Sequence, residues 1–315
     1  MVEQFVEFKS DVTLKGTLTL PSQNDTYPVV VMVHGTGRVD RDENTKSIKI
    51  NAFKKLADFF EEIGFATLRY DKRGVGESEG SYLETGVWDL VHDATAAVEF
   101  VKSHPNVKQD RVVLLGHSEG CWLVPAVYQN VPVDGIILLA GGVGSPLDSS
   151  KYQMQVLKEE VEHLNGIKGM LLRWLNVGEK GVKAQDKFFN KLLNSEDAVV
   201  RVGLNKVNAK WFREHFQHDI TKELEQVKCP VLAITGSKDV QVKPEDVLQL
   251  AEMVGGPSEY HIIKDMNHLL REQKEPISLL QLKTIYKNEI SNNQQLEPEL
   301  LTTIKSWLEN TFQPA

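Results

Sequence analysis

Cysteine is scarce: Cys121 and Cys229 are the only two in 315 residues, so there is no disulfide framework to read. Long apolar runs are missing too, and no stretch approaches the roughly 18 consecutive apolar residues that a bilayer span needs. Residues 1–20 carry Glu3, Glu7, Lys9 and Asp11 in alternation with apolar positions, a pattern of neither a secretory leader nor a targeting helix. Positive charge is in deficit, 36 Lys and Arg against 44 Asp and Glu with a net charge of −8, which argues against nucleic acid as a partner. Gly74-Val75-Gly76 lacks the third glycine of a dinucleotide loop, so no nicotinamide or flavin is implied. His215 and His218 lie one helical turn apart but have no carboxylate or cysteine at ligand spacing. A solvated helix face is expected there, and no metal. These absences leave an ordinary soluble globular protein, expected in the cytoplasm, with neither membrane nor cofactor implied.

What is present is an alternation of strands and helices. Two N-terminal strands are expected around Ser10-Asp11, closed by Pro21, and a third at Val29 to Val33. Phe53, Leu56, Phe59, Phe60 and Ile63 recur at helical spacing until Gly64 ends the helix. A strand to Tyr70, a helix over about 88–102 and strands at 112–115 and 134–140 continue the pattern. Such alternation implies a mostly parallel sheet with helices on both faces, and active residues at the strands' C-terminal ends. From about residue 145 to 225 the alternation gives way to helical patterning, then resumes with a strand at 231–235, a helix at 247–253, a strand at 260–263 and a last helix from Pro298. Residues 1–144 and 226–315 are thus expected to form an α/β core, with 145–225 inserted as a helical cap over the sheet edge. Residues 271–297 are polar and read as a loop with one short helix.

The most informative segment joins the strand Val112-Val113-Leu114-Leu115 to the apolar helical start Cys121-Trp122-Leu123-Val124 through Gly116-His117-Ser118-Glu119-Gly120. Turning a strand into a helix at one residue cramps the backbone, and glycine two positions either side spares it a collision. The Ser118 hydroxyl would then stand above the sheet at a helix N-terminus that favours negative charge, a candidate nucleophile. Gly76-Glu77-Ser78-Glu79-Gly80 has the same pattern without the strand–turn–helix context and reads as a loop, with Glu77 and Glu79 facing solvent.

A serine hydroxyl needs a base within hydrogen-bond reach and a third group to hold that base. Gly236-Ser237-Lys238-Asp239 follows one later strand and Asp265-Met266-Asn267-His268 follows the next, so both loops fall at the right edge. The order Ser, Asp, His suits a serine hydrolase on a parallel sheet. Asp239 and Asp265 compete for the third place; Asp265, three residues before His268, better suits capping its own loop. His34 and His117 read as structural hydrogen-bonders, and the run Arg38, Asp40, Arg41, Asp42 as a salt-bridged charged loop.

Together His34-Gly35-Thr36-Gly37, Tyr70-Asp71-Lys72-Arg73-Gly74-Val75-Gly76, the Ser118 turn, Gly236-Ser237-Lys238-Asp239 and Asn267-His268 make the chain resemble the α/β-hydrolases. Within that superfamily it is most similar to capped esterases and serine-aminopeptidase-like members. The resemblance implies Ser118 as nucleophile, His268 as general base and then acid, and Asp239 as the residue that orients His268. An oxyanion hole is expected from two backbone N–H groups, that of Glu119 after the nucleophile and that of Thr36 in the bare-backbone loop after the strand 29–33.

The reaction expected is hydrolysis of a carboxylic ester or related small acyl compound through an acyl-enzyme on Ser118, without metal or organic cofactor. Thioesterase and aminopeptidase activity are the alternatives, and a non-catalytic small-ligand binder is a remote one. Residues 145–225 hold 13 Lys and Arg against 12 Asp and Glu, so the cap is nearly neutral. Trp174, Trp211 and Phe212 are candidates to line a substrate pocket there, although Trp122 and Trp174 also suit plain packing roles.

Overall fold

The computed structural model describes residues 1–174 and 176–312. Strands β1 (Val2–Lys9) and β2 (Thr13–Leu20) form an antiparallel hairpin. Then come β3 (Tyr27–Val33), α1 (Ala52–Glu62), β4 (Ala66–Tyr70), α2 (Val87–Ser103), β5 (Val107–His117), α3 (Glu119–Asn130) and β6 (Gly135–Leu139). Between β6 and the next sheet strand lie α4 (Pro146–His163), α5 (Gly166–Trp174), α6 (Val177–Leu193), β7 (Val199–Val202), β8 (Asn205–Asn208), α7 (Ala209–Gln217) and α8 (Thr221–Gln226). The chain finishes with β9 (Val231–Gly236), α9 (Asp246–Met253), β10 (Ser258–Ile263), α10 (Leu282–Ser291) and α11 (Pro298–Thr311).

Eight strands form one sheet in the order β1-β2-β4-β3-β5-β6-β9-β10. β1 and β2 run antiparallel, β2 pairs antiparallel with β4, and every later pairing is parallel. The central strands are apolar on both faces because helices cover both. Val29, Val31, Leu114 and Leu138 meet α2, α3 and α9 in one buried layer. Val30, Met32, Val113 and Ile137 meet α1 and α11 in the other. Gly64, at φ +83°, ends the turn after α1 in the left-handed conformation that glycine adopts without steric cost.

Beside its helices the insert holds two short strands that the helical patterning did not reveal. Val199–Val202 and Asn205–Asn208 pair as an antiparallel hairpin, closed by Gly203 at φ +61°. Each strand is only four residues long, too short for alternation to show in the sequence. The insert rests on the core through Ile220 and Leu224, buried in the α2–α3–α9 layer, and through polar contacts: Asn208 Nδ2 donates to the Tyr82 and Thr85 carbonyls at 3.0 and 2.6 Å. Lys210 pairs with Asp89 at 2.7 Å, and the Glu160 carboxylate accepts from the Leu279 and Leu280 backbone N–H at 2.8 and 3.1 Å. The polar segment 271–297 holds one helix, α10, as expected. No helix among the described residues is long and apolar enough to cross a membrane.

Candidate active site

Parallel pairing delivers the ends of β3, β4, β5, β9 and β10 to one edge of the sheet, and the site is assembled from the residues just beyond them. At the end of β5, Ser118 adopts φ 53° and ψ −114°, a strained conformation for a residue with a side chain. The flanking glycines allow it. A Cβ on Gly116 would lie 2.5 Å from the Gly120 carbonyl carbon, and one on Gly120 would lie 2.2 Å from the Val33 carbonyl oxygen. The Ser118 N–H donates to the Leu139 carbonyl at 2.9 Å, which ties the turn to β6.

Above it, His268 Nε2 lies 3.0 Å from Ser118 Oγ, and His268 Nδ1 lies 2.7 Å from Asp239 Oδ2. The other Asp239 oxygen accepts the Gln241 and Val242 backbone N–H at 2.8 and 3.0 Å, so this fully buried carboxylate has one oxygen left to orient the imidazole. Asp265 points elsewhere and pairs with Lys238 at 3.0 Å. Of the two aspartates the sequence offers, it is Asp239, the one favoured there, that meets His268. Ser118 and Thr36 line one cavity of about 710 Å³ with Glu119 and His268, and among the described residues the Thr36 and Glu119 backbone N–H groups have no protein acceptor. The loop lies against the nucleophile: a Cβ on Gly35 would be 3.1 Å from Ser118 Cβ.

The remaining charges are buried in two groups. Glu43 accepts the Gly35 N–H at 2.8 Å and pairs with His117 Nδ1 at 2.8 Å, while His117 Nε2 lies 3.0 Å from the His268 carbonyl. Burial alone would raise the Glu43 carboxyl, but His117 and the Gly35 N–H outweigh it and hold the pKa down at about 2. His117 is correspondingly raised, because Glu43 and the His268 carbonyl overcome its own desolvation. In the second group, Glu119 meets Lys72 Nζ at 2.9 Å, His215 Nε2 at 3.0 Å and the Trp211 indole N–H. Burial again works against this carboxylate, and Lys72 and His215 hold it down at about 2.

Several sequence-based expectations change here. His215 is buried rather than solvated, and its ring sits against Trp122 and Trp211 with centroids 4.6 and 4.3 Å away. Trp211, His215 and His218 recur at helical spacing along α7 and its end, so one face carries all three toward the core. His218 packs edge-on against Trp88 and Trp122. Of the three pocket candidates, Trp211 and Phe212 line the cavity, whereas Trp174 is 79% exposed on α5 and does not. Ser78, in the second Gly-x-Ser-x-Gly pattern, donates to the Asp71 carbonyl at 2.8 Å and so serves its own loop. In the charged loop, Arg41 bridges Asp71 at 2.7 Å and Glu77, Asp42 meets Arg69, and Arg38 stands over the Tyr82 ring.

The side chains of Glu43, Lys72 and Glu119 were not foreseen. One signal was available for Glu119, a lone carboxylate in an otherwise apolar helical start, where a local rule is broken without evident local gain.

Residues 26–275 match the protein family described as "Serine aminopeptidase, S33". The chain belongs to this family of α/β-hydrolases. As a member of the serine aminopeptidase (S33) family, it is 29% identical over 275 residues to Esterase EstD of Thermotoga maritima, covering 85% of this chain and 61% of that protein. It is 25% identical over 218 residues to the mitochondrial palmitoyl-protein thioesterase ABHD10 of Rattus norvegicus, covering 69% of this chain and 63% of the relative. The chain therefore spans less than two thirds of the length of these two curated relatives. Among solved structures, Est1E of Butyrivibrio proteoclasticus matches with a TM-score of 0.61 at 15% identity, covering 98% of both chains. The α/β-hydrolase GrgF of a Penicillium species matches with a TM-score of 0.59 at 20% identity, covering 92% of this chain and all of that one. At such identities the likeness is one of fold, and it agrees with the parallel sheet of this S33-family hydrolase.

Proposed function

We propose that the chain is a serine esterase that hydrolyses carboxylic esters through an acyl-enzyme, with residues 145–225 as its cap. The observation that carries this reading is the hydrogen-bonded series Ser118 Oγ, His268 Nε2, His268 Nδ1, Asp239 Oδ2 at 3.0 and 2.7 Å, opening onto the 710 Å³ cavity. In acylation, His268 Nε2 takes the Ser118 proton as Oγ attacks the ester carbonyl carbon. The oxyanion that forms is received by the Thr36 and Glu119 backbone N–H groups. The tetrahedral intermediate collapses, the C–O bond to the alcohol breaks, and His268 returns the proton to the departing oxygen. Water then enters, His268 removes its proton, and attack on the acyl carbon releases the acid and restores Ser118.

The cavity supports a neutral acyl group over an amino-terminal one. The acidic residues that line it are Glu43 and Glu119, and each is already matched, Glu43 by His117 and Glu119 by Lys72 and His215. An entering α-ammonium would find no free carboxylate, and burying that charge unpaired is costly. Trp122, Phe188, Phe189, Trp211, Phe212 and Leu269 give the cavity apolar walls instead. Acyl thioester cleavage is the second reading, favoured by the thioesterase names among the relatives, because the same residues act on either acyl bond.

The test is hydrolysis of short p-nitrophenyl esters together with fluorophosphonate labelling. Ser118→Ala should lose the label and about 10⁶-fold in kcat while remaining folded. A Ser118→Ala protein with wild-type turnover would refute the proposal, and a hundredfold preference for thioesters or aminoacyl amides would move the substrate class.

A further inference from the structure

Lys72 is a buried ammonium just beyond β4, 4% exposed, at a place where a charge is expensive to keep. Its Nζ donates to the Gly35 carbonyl at 2.5 Å and meets Glu119 Oε2 at 2.9 Å. Those two partners belong to the two backbone segments that carry the candidate oxyanion donors. The Gly35 carbonyl and the Thr36 N–H are the two ends of one planar trans peptide, so they point in opposite directions. Drawing the carbonyl toward Lys72 aims the N–H away from it, and rotation of that plane would break the contact. The preceding peptide is fixed as well, because the Gly35 N–H donates to Glu43 Oε1 at 2.8 Å. On the other segment Glu119 is the first residue of α3, where a carboxylate suits the helix N-terminus, and its own N–H is the second donor. The far oxygen of that carboxylate accepts from Trp211 and His215 of α7, so the insert completes its set of partners.

We propose that Lys72 and Glu119 form a brace that sets the spacing and direction of the two oxyanion donors, with α7 of the insert holding the brace closed. Both are positioning residues, since neither side chain is assigned to the reacting atoms. The inference rests on the serine-hydrolase reading above and adds to it a source of the hole's preorganisation. A donor that is misdirected weakens the transition state and leaves the bound ester untouched, so kcat should fall while KM holds.

The experiment compares wild type with Glu119→Gln and with the double variant Lys72→Met/Glu119→Gln, which leaves no stranded buried charge and so protects the fold. Turnover of a p-nitrophenyl ester is measured per fluorophosphonate-titrated site. Inhibition by a trifluoromethyl ketone, which forms an oxyanion on the serine, is measured beside that by the carboxylic acid product. The brace predicts that kcat falls by about 10²-fold, as when one oxyanion donor is lost, with ketone affinity falling in parallel. KM and product affinity should stay within about threefold, because they report ground-state binding. Variants that keep wild-type kcat per titrated site and wild-type ketone affinity would overturn the brace alone. A wild-type protein that neither turns over esters nor takes the label would overturn the serine-hydrolase reading, and the brace with it.

Discussion

The sheet edge and the insert meet at one cavity but are built to different standards. At the edge, Ser118, Asp239 and His268 follow strands whose residues lie in two large buried layers. In the insert the separate apolar cluster comprises Leu192, Val200 and Ala209, with Phe188, Val202, Val207 and Phe212 partly buried against it. Helix α5 leaves Ile167, Met170, Leu171 and Trp174 half or more exposed. Beside Ile220 and Leu224, which join the core layer, the insert is held to the core by polar contacts of Asn208, Lys210 and Glu160. Elements with few buried apolar contacts open at lower free energy than core strands. The candidate triad thus stands on the densely buried part, and the cavity-lining aromatic residues Phe188, Phe189, Trp211 and Phe212 on the more sparsely packed one. Glu119 is one place where the two parts touch, because one carboxylate serves Lys72 of the core and α7 of the insert.

The sharpest way to break this comparison is at Asp239. Asp239→Asn keeps the shape but leaves an amide where His268 Nδ1–H needs an acceptor, which favours the wrong tautomer. A loss of about 10⁴-fold in kcat is expected, with the fold and fluorophosphonate access retained. An Asp265→Asn control should stay within about threefold, since its partner is Lys238, an exposed-side ion pair worth little. Equal losses at the two positions would show that the assignment drawn from distance is mistaken.

The two aspartates also show how far the sequence could be read. Elbow, strand ends and the Ser, Asp, His order were legible because each depends on a short segment: apolar strand, bare glycines, helix start. Asp239 and Asp265 lie in neighbouring loops after neighbouring strands; the closeness of Asp265 to His268 in sequence favours Asp239, and the side-chain directions agree. Partnerships between distant segments left no local trace. Lys72 and Glu119 are 47 positions apart, and Glu119 and His215 are 96 apart. His215 was misread for that reason, since a histidine on an amphipathic helix looks solvated until the carboxylate it faces is known. Trp174 was misjudged in the opposite direction, because an aromatic residue at helical spacing looks like packing or lining even on an outer face.

Two buried histidines of the core, His34 and His117, give a second, smaller effect. His34 is fully buried, and desolvation together with the nearby Lys72 charge lowers its pKa to about 4. The unfolded chain therefore takes up a proton near the ordinary histidine value, while the folded chain resists until about pH 4. Stability from this group is complete above the unfolded pKa and is lost as pH falls through the interval down to the folded one. Between pH 7 and pH 5 the loss should be about 2 kcal/mol. His117 has the opposite sign: its raised pKa stabilises the fold below the ordinary histidine value, and that contribution goes as pH rises through the folded pKa. Comparing wild type with His34→Gln isolates the first effect. In the variant the change in unfolding free energy between the two pH values, measured by urea, should lose that acid-side penalty and keep the His117 contribution, and an unchanged pH dependence would rule out His34 as its source.

The smallest expected effects lie in the insert, and they test whether it selects substrate or merely covers the site. Phe212 lines the cavity and packs against Phe188, Phe189 and Trp211 with ring centroids 5.7, 5.7 and 4.7 Å away. Truncating it enlarges the apolar wall without touching Ser118, His268 or Asp239. Phe212→Ala should therefore shift the preferred acyl length upward, with kcat/KM for short relative to longer p-nitrophenyl esters changing by about tenfold. Differences of that size are what one or two methylenes are worth in an apolar pocket. Trp174→Ala removes a larger ring from the outer face of α5, so the same ratio should stay within about twofold. Should Trp174→Ala shift the ratio as much as Phe212→Ala, the exposed face of α5 would have to approach the substrate during turnover. The insert would then act as a moving element, and the contrast between a densely buried edge and a sparsely packed insert would become one between two states of the insert.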